Sequence, residues 1–221
     1  MTLQEQPIGQ VACALPGATR IFHEYKLDFC CGGHISLSEA AAKRGVDLAT
    51  LLARLEPLQS NSTTLKDWRE APASDLINHI VTRFHESHRE EIPELIRLAR
   101  RVEHVHAARP DCPTGLADHL EAMFQDLQDH MAKEEDELFP MLLAGNEAGA
   151  QIPISTLRHE HDQHGVALAQ LEALTDDISA PKDACNTWRA LYAGLAKLRE
   201  DLMQHIHLEN NVLFVNAGHT A

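Results

Sequence analysis

Two stretches of this chain set a histidine and a glutamate one helical turn apart, inside stripes otherwise held by leucine. Trp188, Leu191, Leu195, Leu198, Leu202, His205, Glu209 and Val212 step by threes and fours, the spacing of one helix face turned to a core. Leu116, Leu120, Met123, Leu127, His130, Glu134, Leu138 and Met141 repeat the arrangement. A buried ionised carboxylate costs several kcal/mol unless something compensates it. Two of them at one level would break an apolar bundle unless a cation balanced them. The chain is therefore confined to folds that close helices around a polar, cation-holding layer.

Two further helical patterns contribute to that layer. Ile154, Leu157, His161, Leu168 and Leu171 share a face, with His164 nearby. Ile77, Val81, Phe84, His88, Ile92 and Leu95 mark another stripe, flanked by His85. His85 and His88 are three apart, so periodicity allows either to point inward. At ~1.5 Å per residue, His85 matches the level of His130 and Glu134 within about a turn, and His161 matches them from the next helix. The last helix is offset by about two turns, which an overhanging end would absorb.

The segmentation predicts an all-α chain. Residues 1–65 read as a small helical domain with patterns over Ala18–Tyr25, Leu37–Arg44 and Leu48–Leu58, and a turn at Cys30-Cys31-Gly32-Gly33. The polar run at 60–64 reads as a linker. Residues 66–221 read as an antiparallel up-down four-helix bundle. Its helices are expected from about Ser74 to His106, Thr114 to Leu143, Pro153 to Asp177 and Pro181 to Val215, with kinks at Pro93 and Pro140.

Charge and cysteine usage narrow the partners. The formal net charge is −14. Residues 1–65 hold five basic against six acidic side chains, which leaves fourteen against twenty-seven in residues 66–221. Such a surface repels nucleic-acid phosphate and anionic lipid, so neither is an expected partner. No apolar run approaches the ~20 residues of a membrane span. Five cysteines without a repeating spacing, and a start lacking a signal pattern, point to the cytoplasm.

Imidazoles and carboxylates in this proportion fit a non-haem, carboxylate-bridged pair of iron ions. A single zinc ion would use about four ligands and no bridging pair. Magnesium or calcium would draw a set richer in oxygen. Manganese accepts similar donors, so the metal stays open at this point.

At these residues the chain resembles the iron–sulfur cluster repair proteins of the Ric, ScdA and YtfE type, which carry a hemerythrin-like domain. Tyr25-Lys26-Leu27-Asp28-Phe29-Cys30-Cys31-Gly32-Gly33 resembles that family's double-cysteine signature. Phe84-His85-Glu86-Ser87-His88, His130-Met131-Ala132-Lys133-Glu134, Glu160-His161-Asp162 and His205-Ile206-His207-Leu208-Glu209 resemble its bundle motifs. The resemblance covers almost the full length. It implies metal-ligand roles for His85, His130, Glu134, His161, His205 and Glu209, favours His85 over His88, and makes the two glutamates the bridges. Oxygen-carrying hemerythrins use five histidines where this match supplies four, which argues against simple oxygen carriage. One departure is Val215, where the family usually has proline.

The function so implied is repair of iron–sulfur clusters damaged by nitrosative or oxidative stress, by supplying iron. Its partners would be damaged cluster proteins or the cluster-assembly machinery. The alternatives are a protein that binds and sequesters nitric oxide or oxygen, or a nitric oxide reductase; whether the chain is an enzyme stays open. A homodimer is a possible assembly. Cys30 and Cys31 pack the small domain, or take part in redox or iron-transfer steps. The other histidines, His164 and His207 among them, read as surface groups or supports behind the ligands.

Overall fold

The structure is a computed structural model that describes residues 2–60 and 67–217. The described residues form helices and turns and contain no strand; the one bridge pairs Pro7 with Ser36. The 60–64 run lies outside them apart from Ser60. The chain divides into two compact units, His79–Leu202, and Met1–Asn78 with Met203–Ala221.

The second of these units opens with a short turn at Leu3–Glu5, then α1 (Ile8–Ala14), α2 (Ala18–Glu24), α3 (Leu37–Arg44) and α4 (Leu48–Ser60). Helix α1 has no counterpart in the sequence reading, because Ile8 and Val11 alone are too few to show a period. Ile8, Val11, Ile21, Phe22, Leu27, Leu37, Leu51 and Leu55 are buried and form the core of this module. Ser36 caps α3 and is answered by Glu39, whose carboxylate takes the Ser36 amide at 3.0 Å, a reciprocal start signal. The amides of Ile8 and Gly9 donate to the carbonyls of Ile35 at 2.8 Å and Gly33 at 2.9 Å, which ties α1 to the Cys30–Gly33 turn.

The unit His79–Leu202 holds the greater part of four long helical rods. Its first rod begins as α5 (Ala73–Ile80), passes a π turn at Val81–His85 and continues as α6 (Glu86–His106), unbroken through Pro93. The second is α7 (Leu116–Lys133), a π turn at Glu134–Leu138, and α8 (Phe139–Leu143). The third, α9 (Glu147–Leu174), starts earlier than Pro153 because the Asn146 side chain accepts the Gly149 amide at 3.1 Å and caps it. The fourth, α10 (Asn186–Leu208), starts later than Pro181: Arg189 reaches back to the carbonyls of Ala184 and Lys182 and fixes that stretch as a turn. A further π turn at Glu209–Leu213 and α11 (Phe214–Asn216) follow it.

Side-chain pairs show that neighbouring rods run antiparallel. Arg100, late in α6, pairs with Glu121, early in α7. Lys133, late in α7, pairs with Glu160 of α9, while His119, early in α7, meets the Ala167 carbonyl at 2.8 Å. His106, at the end of α6, stacks on Trp188 near the start of α10, and Arg83 pairs with Asp201 at the opposite end. Arg199 lies 3.0 Å from Glu172, so the first half of α10 runs on past the end of α9. That is the overhang the level arithmetic requires. No helix among the described residues is long and apolar enough to cross a membrane.

Gly33 shows how tightly the N-terminal module is built. A Cβ there would stand 2.8 Å from the Phe29 carbonyl oxygen and would also collide with the Asn211 side chain. Gly33→Ala is expected to lower unfolding stability by ~1–3 kcal/mol, read as a lower urea midpoint; an unchanged midpoint would show that the turn yields freely.

Candidate metal centre

Glu134 is the pivot of the bundle's polar layer. It opens the π turn after α7 and is fully buried. Its Oε2 lies 3.4 Å from His85 Nε2, and its Oε1 lies 3.5 Å from His130 Nε2. His161 Nε2 stands 3.0 Å from His130 Nε2. Ligand atoms of His130, Glu134 and His161 all fall within 4.8 Å of one another, as do those of His85 and Glu134. One carboxylate thus offers a different oxygen to each of two imidazole groups.

The far side of two rings explains which nitrogen faces inward. His85 Nδ1 is 2.6 Å from Glu135 Oε1, and His130 Nδ1 is 2.9 Å from Glu160 Oε2. A carboxylate at Nδ1 keeps the proton there and turns the Nε2 lone pair toward the layer. Arg89 holds Glu135 at 2.8 Å, and Lys133 holds Glu160 at 2.5 Å. Burial opposes the charge on Glu135, but the bonds from His85 and Arg89 outweigh it and keep its carboxyl below the ordinary range. In the sequence Glu160 stands out only as part of the Glu160-His161-Asp162 motif, and nothing singles out Glu135. The only signal was a carboxylate directly beside a candidate ligand.

All three π turns among the described residues fall on candidate ligands. His85 ends the first, Glu134 begins the second and Glu209 begins the third. In each, an amide reaches the carbonyl five residues back: Glu86 to Val81, Phe139 to Glu134, and Phe214 to Glu209. The widened turn shifts the stripe by about one residue, a device common at functional sites. It brings both Phe84 and His85 inside, with His88 buried as well. His85 lies against Glu134, and the His88 ring lies beside Phe84 at 6.5 Å. The shift also buries Phe139, while Met141 of the expected stripe is left half-buried.

In the other unit, His205 Nε2 lies 3.0 Å from Glu209 Oε1, and both residues are fully buried. Helix α10 is unbroken to Leu208, so His205 follows Leu202 by one turn on the same stripe. Leu198 and Leu202 themselves line an apolar cavity with Ile92, Leu120, Met123, Leu127 and His164. His130-x-x-x-Glu134-x-x-x-Leu138-Phe139 and His205-x-x-x-Glu209-x-x-x-Leu213-Phe214 are one pattern used twice. Proline follows only the first, as Pro140. The π turn forms in both, so proline is not its cause, and Val215 does not disturb it.

Of the two readings given for His207, a surface group or a support behind the ligands, burial removes the first. It is buried, and burial pulls its imidazole down to about 4. Its ring lies edge-on to Phe29, with Asn211 Nδ2 3.1 Å from its Nδ1 and Cys13 Sγ 3.6 Å from its Nε2. Cys13 is itself pushed up to about 11 by burial. His164 is buried too, its ring edge-on to His130 at 4.9 Å.

The donor set fits a cation. Nε2 lone pairs of His85 and His130 point at the oxygens of one buried carboxylate, and these groups repel unless positive charge lies among them. The comparisons agree. Residues 76–217 match the hemerythrin HHE cation-binding domain, and residues 4–59 match the ScdA N-terminal domain, which is of unknown function. Iron–sulfur cluster repair protein YtfE of Musicola paradisiaca is 51% identical over 217 residues, 98% of each chain. The protein of that name from Pectobacterium atrosepticum is 49% identical over the same share. A probable iron–sulfur cluster repair protein of Haemophilus influenzae is 46% identical over 97% of each chain. The chain belongs to this hemerythrin-like repair family. As in that family's HHE domain, a cation is what its His and Glu clusters can hold.

Removing the supports tests this geometry. Glu135→Gln and Glu160→Gln should each weaken metal retention by roughly 10–100-fold, measured by competition with a chelator. Retention equal to the parent protein in both variants would show that Nδ1 anchoring is irrelevant.

Proposed function

We propose that this protein repairs damaged iron–sulfur clusters by supplying iron from a carboxylate-bridged pair. In this reading His85, His130, Glu134, His161, His205 and Glu209 would hold the two ions, with Glu134 and Glu209 as the carboxylates that would be shared. The observation that carries it is Glu134, whose two oxygens face different imidazoles at 3.4 and 3.5 Å. The repeated His-x-x-x-Glu pattern gives Glu209 the matching part. Nitrogen and oxygen donors without thiolate suit iron, and six protein side chains shared by two ions leave positions open for exchange. When bound, the pair supplies ferrous or ferric ions as cargo.

The chain's own residues set how firmly that cargo is held. Glu135 and Glu160 orient imidazoles from the bundle's flank, where both carboxylates are part-exposed. A surface cleft of about 230 Å³ between α7 and α9 reaches Lys133 and Glu160. Solvent therefore touches the group that anchors His130, while the imidazole itself stays buried. A damaged cluster protein, or a protein of the assembly machinery, is the partner in this reading, with nitric oxide as a possible ligand. All five cysteines are thiols, which agrees with a reducing, cytoplasmic setting.

Iron-loaded protein should restore activity to a dehydratase whose cluster has been damaged by nitric oxide. The Glu134→Gln/Glu209→Gln double variant should not. Equal recovery with both proteins, or stoichiometric nitric oxide binding with no iron transferred, would overturn the proposal.

A further inference from the structure

The turn that joins α2 to α3 gathers a second donor set, with no residue in common with the bundle. Cys30 Sγ lies 3.7 Å from Cys31 Sγ and 3.5 Å from Asp28 Oδ1. The same Asp28 oxygen accepts the Cys31 amide at 3.0 Å, which folds the carboxylate back over the two thiols. Ligand atoms of all three residues lie within 4.8 Å of one another. Gly32 makes room for this fold, since a Cβ there would stand 2.9 Å from Asp28 Oδ2 and 3.2 Å from the Asp28 carbonyl oxygen.

The backbone of the turn is held from outside. Asn210 Nδ2 donates to the Cys30 carbonyl at 3.1 Å. Asn211 Nδ2 donates to the Phe29 carbonyl at 3.1 Å and reaches the Cys30 carbonyl at 3.3 Å. Both asparagines follow Glu209 directly in the π turn. The sulfurs are therefore presented by a clamped backbone, not by a loose loop. Exposure is graded across the set: Cys30 is buried, Cys31 half-buried and Asp28 exposed. Such a site is closed on one side and open on the other.

We propose that Asp28, Cys30 and Cys31 form a separate thiolate site for one borderline-soft divalent cation, ferrous or zinc in kind. Two thiolates and one carboxylate supply three donors and leave an outward position for water or an incoming ligand. On binding, two S–H bonds break, two S–metal bonds form, and two protons pass to solvent. No electron moves. The open position makes the site one of exchange, in contrast to the enclosed layer of the bundle. The two sites share no ligand, so failure of the iron-supply reading would leave this one standing.

Cobalt(II) added to the full-length, iron-loaded protein is the test. The bundle's candidate ligands are nitrogen and oxygen only, so a thiolate-to-cobalt band in the near ultraviolet reports cysteine alone. The band should saturate at one equivalent, and it should survive Cys13→Ser. Cys31→Ser, at a half-buried position, should keep the fold and its bundle iron while lowering the band to roughly half, because one thiolate remains. The Cys30→Ser/Cys31→Ser variant should abolish it. Asp28→Asn should raise the cobalt needed by roughly tenfold, the scale of one lost charged contact. No band in excess cobalt, or a band that persists in the double variant, overturns the site.

Discussion

Everything in this structure answers to the cost of placing carboxylates in a leucine core. Glu134 and Glu209 occupy stripe positions where an apolar side chain would serve stability better, and both are fully buried. Histidines face them, and neutral imidazoles cannot offset the charge by themselves. A cation can. Within His79–Leu202, the long rods and their salt-bridged flanks then read as scaffolding that holds His85, His130, Glu134 and His161 together.

The π turns are how the backbone accommodates that demand. An α-helical stripe presents one residue per turn to the core, yet the layer needs Phe84 and His85, or Leu138 and Phe139, turned inward side by side. One widened turn at each of His85, Glu134 and Glu209 achieves this. Such turns are rare inside α-helices and concentrate at functional sites. The asparagines of the third turn also clamp the Cys30 carbonyl, so the same deformation that shapes Glu209's surroundings presents the thiol pair.

Much of this was legible in the sequence. The all-α architecture, the four rods and the inward candidates followed from spacing, since His205 and Glu209 stand on a face that six apolar residues define. The resemblance points to His85 over His88, and the structure buries both and sets His85 against Glu134. What stayed hidden had physical reasons. A π turn leaves no residue-type signature, as the pairing of Pro140 with Val215 at matching positions shows. Glu135 was invisible because a support reached across helices has no periodicity. His207 looked exposed because its cover comes from Phe29 and Cys13, far off in sequence.

The most direct measurement is an iron count per chain on the purified protein, joined to the magnetic susceptibility of its oxidised form. The proposed bridging by Glu134 and Glu209 predicts two irons per chain whose spins couple and largely cancel. One iron per chain, or two that behave as isolated ions, would contradict the shared carboxylates on which the assignment rests.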